Sequence, residues 1–516
     1  MLTSTAKSLA PAAAMLIPAL AAAQAPAQKQ PRPNVIMIYA DDLGYGDLEC
    51  YGAKNVKTPA VNRLAAEGTR FTNAHATAAT STPSRYSLLT GRYAWRDPGT
   101  DVANGDAAMI LKPEQYTMAD MFRSAGYATA ALGKWHLGLG SESGKQDWNA
   151  TLAASPNDLG FDYSYIMAAT ADRVPCVFIE NGQVANWDPE APIEVSYKQN
   201  FPGEPTGKDN PELLYNLKPS HGHNQAIVNG ISRIGYMKGG GKALWKDEDI
   251  ADSIADHAVR YITENASRPF FLYLATNDVH VPRFPHPRHR SKTTMGLRGA
   301  AIAQFDATVE TVLNLLDSLG IADNTIVMLS SDNGPVVDDG YIDQAEELLN
   351  GHSPTGGLRG GKYSCFEGGT RIPFIVRWPG KVPAGKTSEA LVSQIDWLAS
   401  LASLTGARIP RGAAADSRRQ LDAILGLTPD GAPYVIEQAS NHALSVRTPR
   451  WKYIEPSKGK PRIPWGPDIE TGYLLQPQLY DQTTEAGRLE QENVAPANPA
   501  ETERLAAILA AERLKP

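Results

Sequence analysis

The chain has 516 residues, 42% of them hydrophobic and 20% charged, which is enough apolar material for a large core and excludes a chain disordered throughout. Its 49 Lys and Arg against 56 Asp and Glu give a net charge of −7, and without a basic excess nucleic acid is a poor partner. Three cysteines cannot frame the fold with disulfides, and the odd number leaves at least one thiol unpaired.

Residues 1–23 read as a secretory signal peptide. Lys7 is the only charge, residues 9–23 are apolar, and Ala21-Ala22-Ala23 supplies the small residues that cleavage needs. The apolar run of about fifteen residues is short of the roughly 20 that cross a bilayer. Residues 24–33, with prolines and glutamines, read as a flexible leader. The expected location is therefore periplasmic or extracellular, with no stable membrane insertion.

Beyond the leader, short apolar runs alternate with helical patterns. Residues 34–40 end in Asp41-Asp42, and Thr58-Pro59 opens a helix with Val61, Leu64 and Ala65 on one face and Gly68 as its stop. Residues 127–132 lead to Gly133-Lys134-Trp135-His136, and 270–275 lead to Asn277-Asp278-Val279-His280. A helical stripe over 300–319 (Ile302, Phe305, Val309, Val312, Leu316) precedes the run 325–330, which leads to Ser331-Asp332-Asn333-Gly334. Residues 374–376 make a fifth run. Buried parallel strands read this way, and ligands bind beyond their carboxyl ends. From about residue 429 the pattern changes to short strands at 434–436, 443–446, 451–454 and 478–480, then a helix over 500–513. The expected fold is α/β: a large mixed, mostly parallel sheet sandwiched by helices in residues 34–428, with a smaller C-terminal antiparallel subdomain in 429–516.

Residues 81–92 read Ser81-Thr82-Pro83-Ser84-Arg85, then Leu88-Leu89-Thr90-Gly91-Arg92. This segment is similar to the signature of type I sulfatases, the formylglycine enzymes of the alkaline-phosphatase superfamily. Asp41-Asp42, Gly133-Lys134-Trp135-His136, Asp332-Asn333-Gly334 and Gly361-Lys362 match further motifs of that family in the same order, over roughly residues 33 to 490. The resemblance implies that Ser81, standing where many members have cysteine, is oxidised to formylglycine by a serine-type maturase, and that its hydrated aldehyde is the nucleophile. Pro83 and Gly91 bracket a helix, which places Ser81 at an N-terminus favourable to anions.

Asp41, Asp42, Asp332 and Asn333 offer only oxygen ligands, which suits a hard cation better than zinc. The resemblance points to Ca²⁺, with residue 81 as a further ligand. It also implies that Arg85 and Lys134 contact the nucleophile or metal-bound oxygens, and that Lys134 and Lys362 contact the sulfate. By the same resemblance His136 assists breakdown of the hemiacetal, and His280 protonates the leaving alcohol, since a sugar alkoxide leaves poorly.

The long polar segment 172–246 reads as a pocket rim. Its wording at Asp172-Arg173 and Asn229 to Tyr236 resembles bacterial sulfatases acting on galactose or N-acetylgalactosamine 6-sulfate. Asp172 and Arg173 are candidates for gripping sugar hydroxyls or for an internal salt bridge. His221 and His223 have no carboxylate or cysteine beside them in sequence and read as a structural or substrate loop rather than a zinc site. The basic run Arg283, His286, Arg288, His289, Arg290 and Lys292 meets a second anionic group or forms a solvated loop. The expected activity is hydrolysis of carbohydrate sulfate esters. Alternatives are a phosphomonoester or phosphonate hydrolase with the same plan, and a sulfated-glycan binding protein with unmodified Ser81.

Overall fold

The computed structural model describes residues 1–2 and 32–515. The signal-peptide reading (1–23) and the leader reading (24–33) lie outside the described part except at residues 1–2 and 32–33, where the Tyr127 hydroxyl donates to the Pro33 carbonyl at 2.9 Å. Within it, unbroken apolar runs become strands buried on both faces. We number all strands of the main sheet, edge strands included, β1 (Asn34–Ala40), β2 (Thr69–Phe71), β3 (Ala128–Lys134), β4 (Tyr163–Met167), β5 (Phe178–Glu180), β6 (Gln183–Val184), β7 (Phe270–Ala275), β8 (Thr325–Ser331), β9 (Phe374–Arg377) and β10 (Lys386–Ser388). Their order across the sheet is β10-β2-β9-β8-β1-β7-β3-β4-β5-β6. The central strands β8, β1, β7, β3 and β4 run parallel, while β9 is antiparallel to β8 and β5 to β4. Every residue of β1, β3, β7 and β8 is buried. This is the mixed, mostly parallel sheet that the sequence pattern implied.

Five helices matter here: α1 (Pro59–Ala66), α2 (Ser81–Thr90), α3 (Ile250–Asn265), α4 (Gly296–Ser318) and α5 (Pro499–Leu514). Helix α1 begins after Thr58, but the Thr58 hydroxyl does not cap it. That hydroxyl accepts from Glu49 N, and Asp306 of α4 accepts from Ala60 and Val61 N–H instead. The α1 start is thus capped from a neighbouring helix, which sequence spacing could not reveal.

Helix α2 is buried along all ten residues despite its hydroxyls. Ser87 Oγ and Thr90 Oγ1 donate back to the carbonyls of Pro83 and Tyr86, so neither is left unpaired in the core. Gly91 ends the helix at φ 63°, a left-handed cap that glycine adopts without penalty.

The tail forms a separate four-stranded antiparallel meander, β11 (Val435–Gln438), β12 (Leu444–Arg447), β13 (Trp451–Ile454) and β14 (Gln478–Asp481). Leu505 and Leu509 of α5 close its apolar face with Val446 and Tyr453. Cys50, Cys176 and Cys365 are all free thiols. No helix among the described residues is long and apolar enough to cross a membrane.

Candidate active site

Strand register builds the site. Ala40 pairs with Ser331, Tyr39 with Ala275, and Ala275 with Gly133, so β1, β8, β7 and β3 end level with one another. The polar residues just past each strand converge at that edge. Gly133 is needed there: a Cβ on it would fall 1.8 Å from the Ala275 carbonyl oxygen, and its φ of 89° is left-handed. Lys134 is the last residue of β3 rather than part of the next loop, a correction of two residues to the expected strand end.

Ser81 is the first residue of α2 and only 3% exposed. Lys134 Nζ lies 2.8 Å from Ser81 Oγ and 2.6 Å from Asp41 Oδ1. Ser81 Oγ is also 3.4 Å from Asn333 Oδ1. Arg85, one helical turn on, does not reach Ser81 by a hydrogen bond. Its Nε and Nη2 both bond Asp332 Oδ2, at 3.0 and 2.8 Å, and Nη1 bonds the Tyr273 hydroxyl. Lys362 Nζ bridges Asp42 Oδ2 at 2.8 Å and Asp339 Oδ2 at 2.9 Å. Burial disfavours its ammonium, yet Asp339 and Asp42 hold it well above the usual lysine value.

The oxygen ligands fit a hard cation. Asp41 Oδ2 is buried and has no hydrogen-bond partner. Burial pushes the Asp41 carboxyl up to about 6 despite Lys134, so a further positive charge at that free oxygen would keep it ionised. Asp41, Asp42, Asp332 and Asp339 outnumber the cations Arg85, Lys134 and Lys362 they contact. Asn333 donates its amide to Asp42 and turns its carbonyl oxygen toward Ser81. Asp41 and Asp42 each bring a carboxylate oxygen within 4.8 Å of the other, with a ring nitrogen of His280 equally near.

The two histidines present different nitrogens. His136 Nε2 lies 2.9 Å from the Ala103 carbonyl, which can only accept, so Nε2 carries the hydrogen. Its Nδ1 is buried without a partner. Burial, then Lys134, Arg173 and Arg85, hold this ring well below the usual histidine value, so it is neutral with a bare Nδ1 lone pair. His280 Nδ1 donates to the Val281 carbonyl at 2.6 Å. Its exchangeable position is therefore Nε2, 3.7 Å from Asp42 Oδ2.

A cavity of about 850 Å³ opens over these groups, and Ser81, His136, His280, Lys362, Asp172 and Arg173 all line it. Asp172 and Arg173 form the internal salt bridge, at 3.1 Å, and both line the cavity. The loop of His221 and His223 also lines it, and the fold brings carboxylates to both rings: Asp172 2.9 Å from His223 Nε2, and Asp338 3.7 Å from His221 Nδ1. The basic run after His280 stays out of the cavity. Arg283 is buried against Asp343 at 2.7 Å, and Arg288 pairs with Asp252.

The sulfatase family profile matches residues 33–407. The chain belongs to the sulfatase family. It is 52% identical over 93% of both chains to an N-acetylgalactosamine-6-O-sulfatase of Bacteroides thetaiotaomicron. Human arylsulfatase A is 33% identical over 77% of this chain and 68% of its own. A solved 6S-sulfatase structure from glycosaminoglycan metabolism in Bacteroides thetaiotaomicron superposes with a TM-score of 0.91 at 51% identity, covering 94% of this chain and all of that one. The protein is thus a sulfuric ester hydrolase.

Several residues of this sulfatase's cavity escaped sequence reading. Asp339 comes soon after the Asp332-Asn333-Gly334 motif, and the acidic pair Asp338-Asp339 so near it was a signal in plain view. Asp101, Gln438, Ser440, His442 and Trp465 also line the cavity. Four of these come from the C-terminal part, which carried no motif.

Proposed function

We propose that this sulfatase is an exported carbohydrate 6-O-sulfatase, acting on galactose or N-acetylgalactosamine 6-sulfate, with formylglycine made from Ser81 and a resident Ca²⁺. The observation that carries the reading is Ser81 Oγ held 2.8 Å from Lys134 Nζ at the base of a cavity whose wall bears Asp172 and Arg173. The name of the 52% identical relative supports the sugar and the position.

Asp41, Asp42, Asp332 and Asn333 would hold the cation, which supplies positive charge for the anionic ester and lowers the pKa of the nucleophile. Formylglycine supplies a nucleophile that is restored each turnover without water attacking sulfur. This chain's side chains do the rest. Lys134 fixes and neutralises the residue-81 oxygen, and Lys362 places a second charge where the sulfate oxygens would lie. His280 Nε2 donates a proton to the departing sugar oxygen. His136 Nδ1, bare and buried, accepts one when sulfate is expelled. Asp172 and Arg173 offer an adjacent acceptor and donor to a sugar diol. The supply of a serine-type maturase and delivery to the periplasm or the exterior complete the proposal.

Mass spectrometry of the tryptic peptide 71–85 from the native host tests the nucleophile: loss of two hydrogens at Ser81 is expected. Unmodified serine in active enzyme would sink it. Sulfate release from 6-sulfated against 4-sulfated N-acetylgalactosamine tests position, and equal rates would remove the 6-O assignment. An aryl phosphate cleaved faster than an aryl sulfate would favour the phosphoester alternative.

A further inference from the structure

The cavity does not end at the groups assigned above. Its volume of about 850 Å³ lies in the upper part of the roughly 300–1,000 Å³ usual for small-molecule pockets. Asp172 and the catalytic groups occupy its buried part, Arg173 is partly exposed beside them, and exposure rises from 3% at Ser81 to 45% at Trp465. Trp465 is therefore an indole presented at the mouth of the cavity that holds the reaction centre.

Its mounting is hydrogen-bonded across the loop. Residues 461–471 form a closed hairpin in which Ile463 N bonds Ile469 O at 2.9 Å and Thr471 N bonds Pro461 O at 3.0 Å. Arg462 pairs with Asp468, and Arg359 anchors Glu470 at 2.6 Å. Pro464 and Pro467 bracket the tip. Gly466 presses against the His221 ring so closely that a Cβ would lie 1.8 Å from its Cε1. The Trp465 ring meets Tyr363 edge-on, with centroids 5.5 Å apart. The Tyr363 hydroxyl in turn donates to Asp339 Oδ1 at 2.9 Å, and Asp339 holds Lys362. A flat apolar surface is thus fixed at a set distance from the sulfate-facing lysine.

We propose that Trp465 is the stacking platform of a second sugar subsite, which takes the pyranose ring glycosidically linked to the sulfated one. The proposal rests on the carbohydrate reading of the site. A pyranose presents one face of C–H groups, and laying that face on an indole removes apolar surface from water on both sides. The cross-hairpin hydrogen bonds already place the indole at the mouth, so stacking a sugar there needs no new backbone arrangement. The sulfatase would then prefer a disaccharide or longer chain to a free monosaccharide.

The test compares kcat/KM on a 6-sulfated N-acetylgalactosamine monosaccharide and on a disaccharide ending in that unit, for wild type, Trp465→Ala and Trp465→Phe. The ratio of disaccharide to monosaccharide kcat/KM should fall about tenfold in Trp465→Ala, mainly through KM, and recover in part in Trp465→Phe. An unchanged ratio, whether both substrates fall together with a lowered Tm or neither falls, overturns the subsite while leaving the sulfatase reading intact. A wild type that cleaves neither sugar yet cleaves an aryl sulfate overturns both.

Discussion

Lys134 Nζ stands 2.8 Å from Ser81 Oγ, although the lysine closes a strand and the serine opens a helix. Both are buried, so the attraction between this ammonium and a negatively charged oxygen at position 81 is weakly screened. Replacing Lys134 with Ala should lower kcat by about 10²–10³-fold, the range seen when one preorganised charge-stabilising donor is lost. Steady-state kinetics on an aryl sulfate read this directly. A loss below tenfold in a folded variant would remove Lys134 from the mechanism.

Asp339 supplies a second test, because it touches Lys362 and Tyr363 but lies outside the oxygen-ligand set. If it merely adds negative charge, Asp339→Asn should tighten inhibition by free sulfate. If it positions Lys362, the variant should lose about tenfold in kcat/KM and bind sulfate more weakly. We expect the second outcome, since Lys362 would keep only Asp42 as an ionic partner. Inhibition constants for inorganic sulfate separate the two.

Much of this site was legible because it hangs on strands. The runs ending at Ala40, Ala275 and Ser331 are buried throughout, and the polar residues just beyond them had to emerge at one sheet edge. The Ser81 helix was legible from Pro83 and Gly91. The features that stayed hidden depend on long-range contact. The antiparallel course of β9, the capping of α1 by Asp306 and the reach of Gln438, His442 and Trp465 into the cavity have no local signature. His221 and His223 lacked carboxylates only along the chain; folding supplied Asp338 and Asp172.

Asp47 predicts the acid limb of stability. Burial alone would raise its carboxyl, but Arg298, with two hydrogen bonds of 2.7 Å, and His352 bring it down to about 2. A folded value below the unfolded one contributes stability that is present above about pH 4 and fades as pH falls toward 2, about 2 kcal/mol in all. Asp47→Asn should cost about 3–5 kcal/mol at neutral pH by leaving Arg298 uncompensated. Its deficit relative to wild type should shrink below pH 4. Urea unfolding at pH 7, 5 and 3 would measure the gap, and a constant deficit would contradict the assignment.

A buried charge network predicts a change in stability between about pH 5 and about pH 8. Lys452 of β13 pairs with Glu437 of β11 at 2.6 Å and with Glu367 at 3.2 Å, and Glu367 N–H donates to Glu490. The cluster ties the C-terminal sheet to the segment before β9, and β11 carries Gln438 to the cavity. Burial pushes Glu490 up to about 8, against the pull of Lys452 and with Glu367 and Glu437 adding to the rise. A carboxyl raised on folding is protonated in the native state while the unfolded chain has already lost its proton. Stability should therefore decline as pH rises from about 5 to about 8 and level off beyond. Glu490→Gln keeps the shape without the titration, so its Tm should change less over that window than the wild-type Tm. Parallel Tm profiles for the two proteins would show that Glu490 stays ionised in the fold.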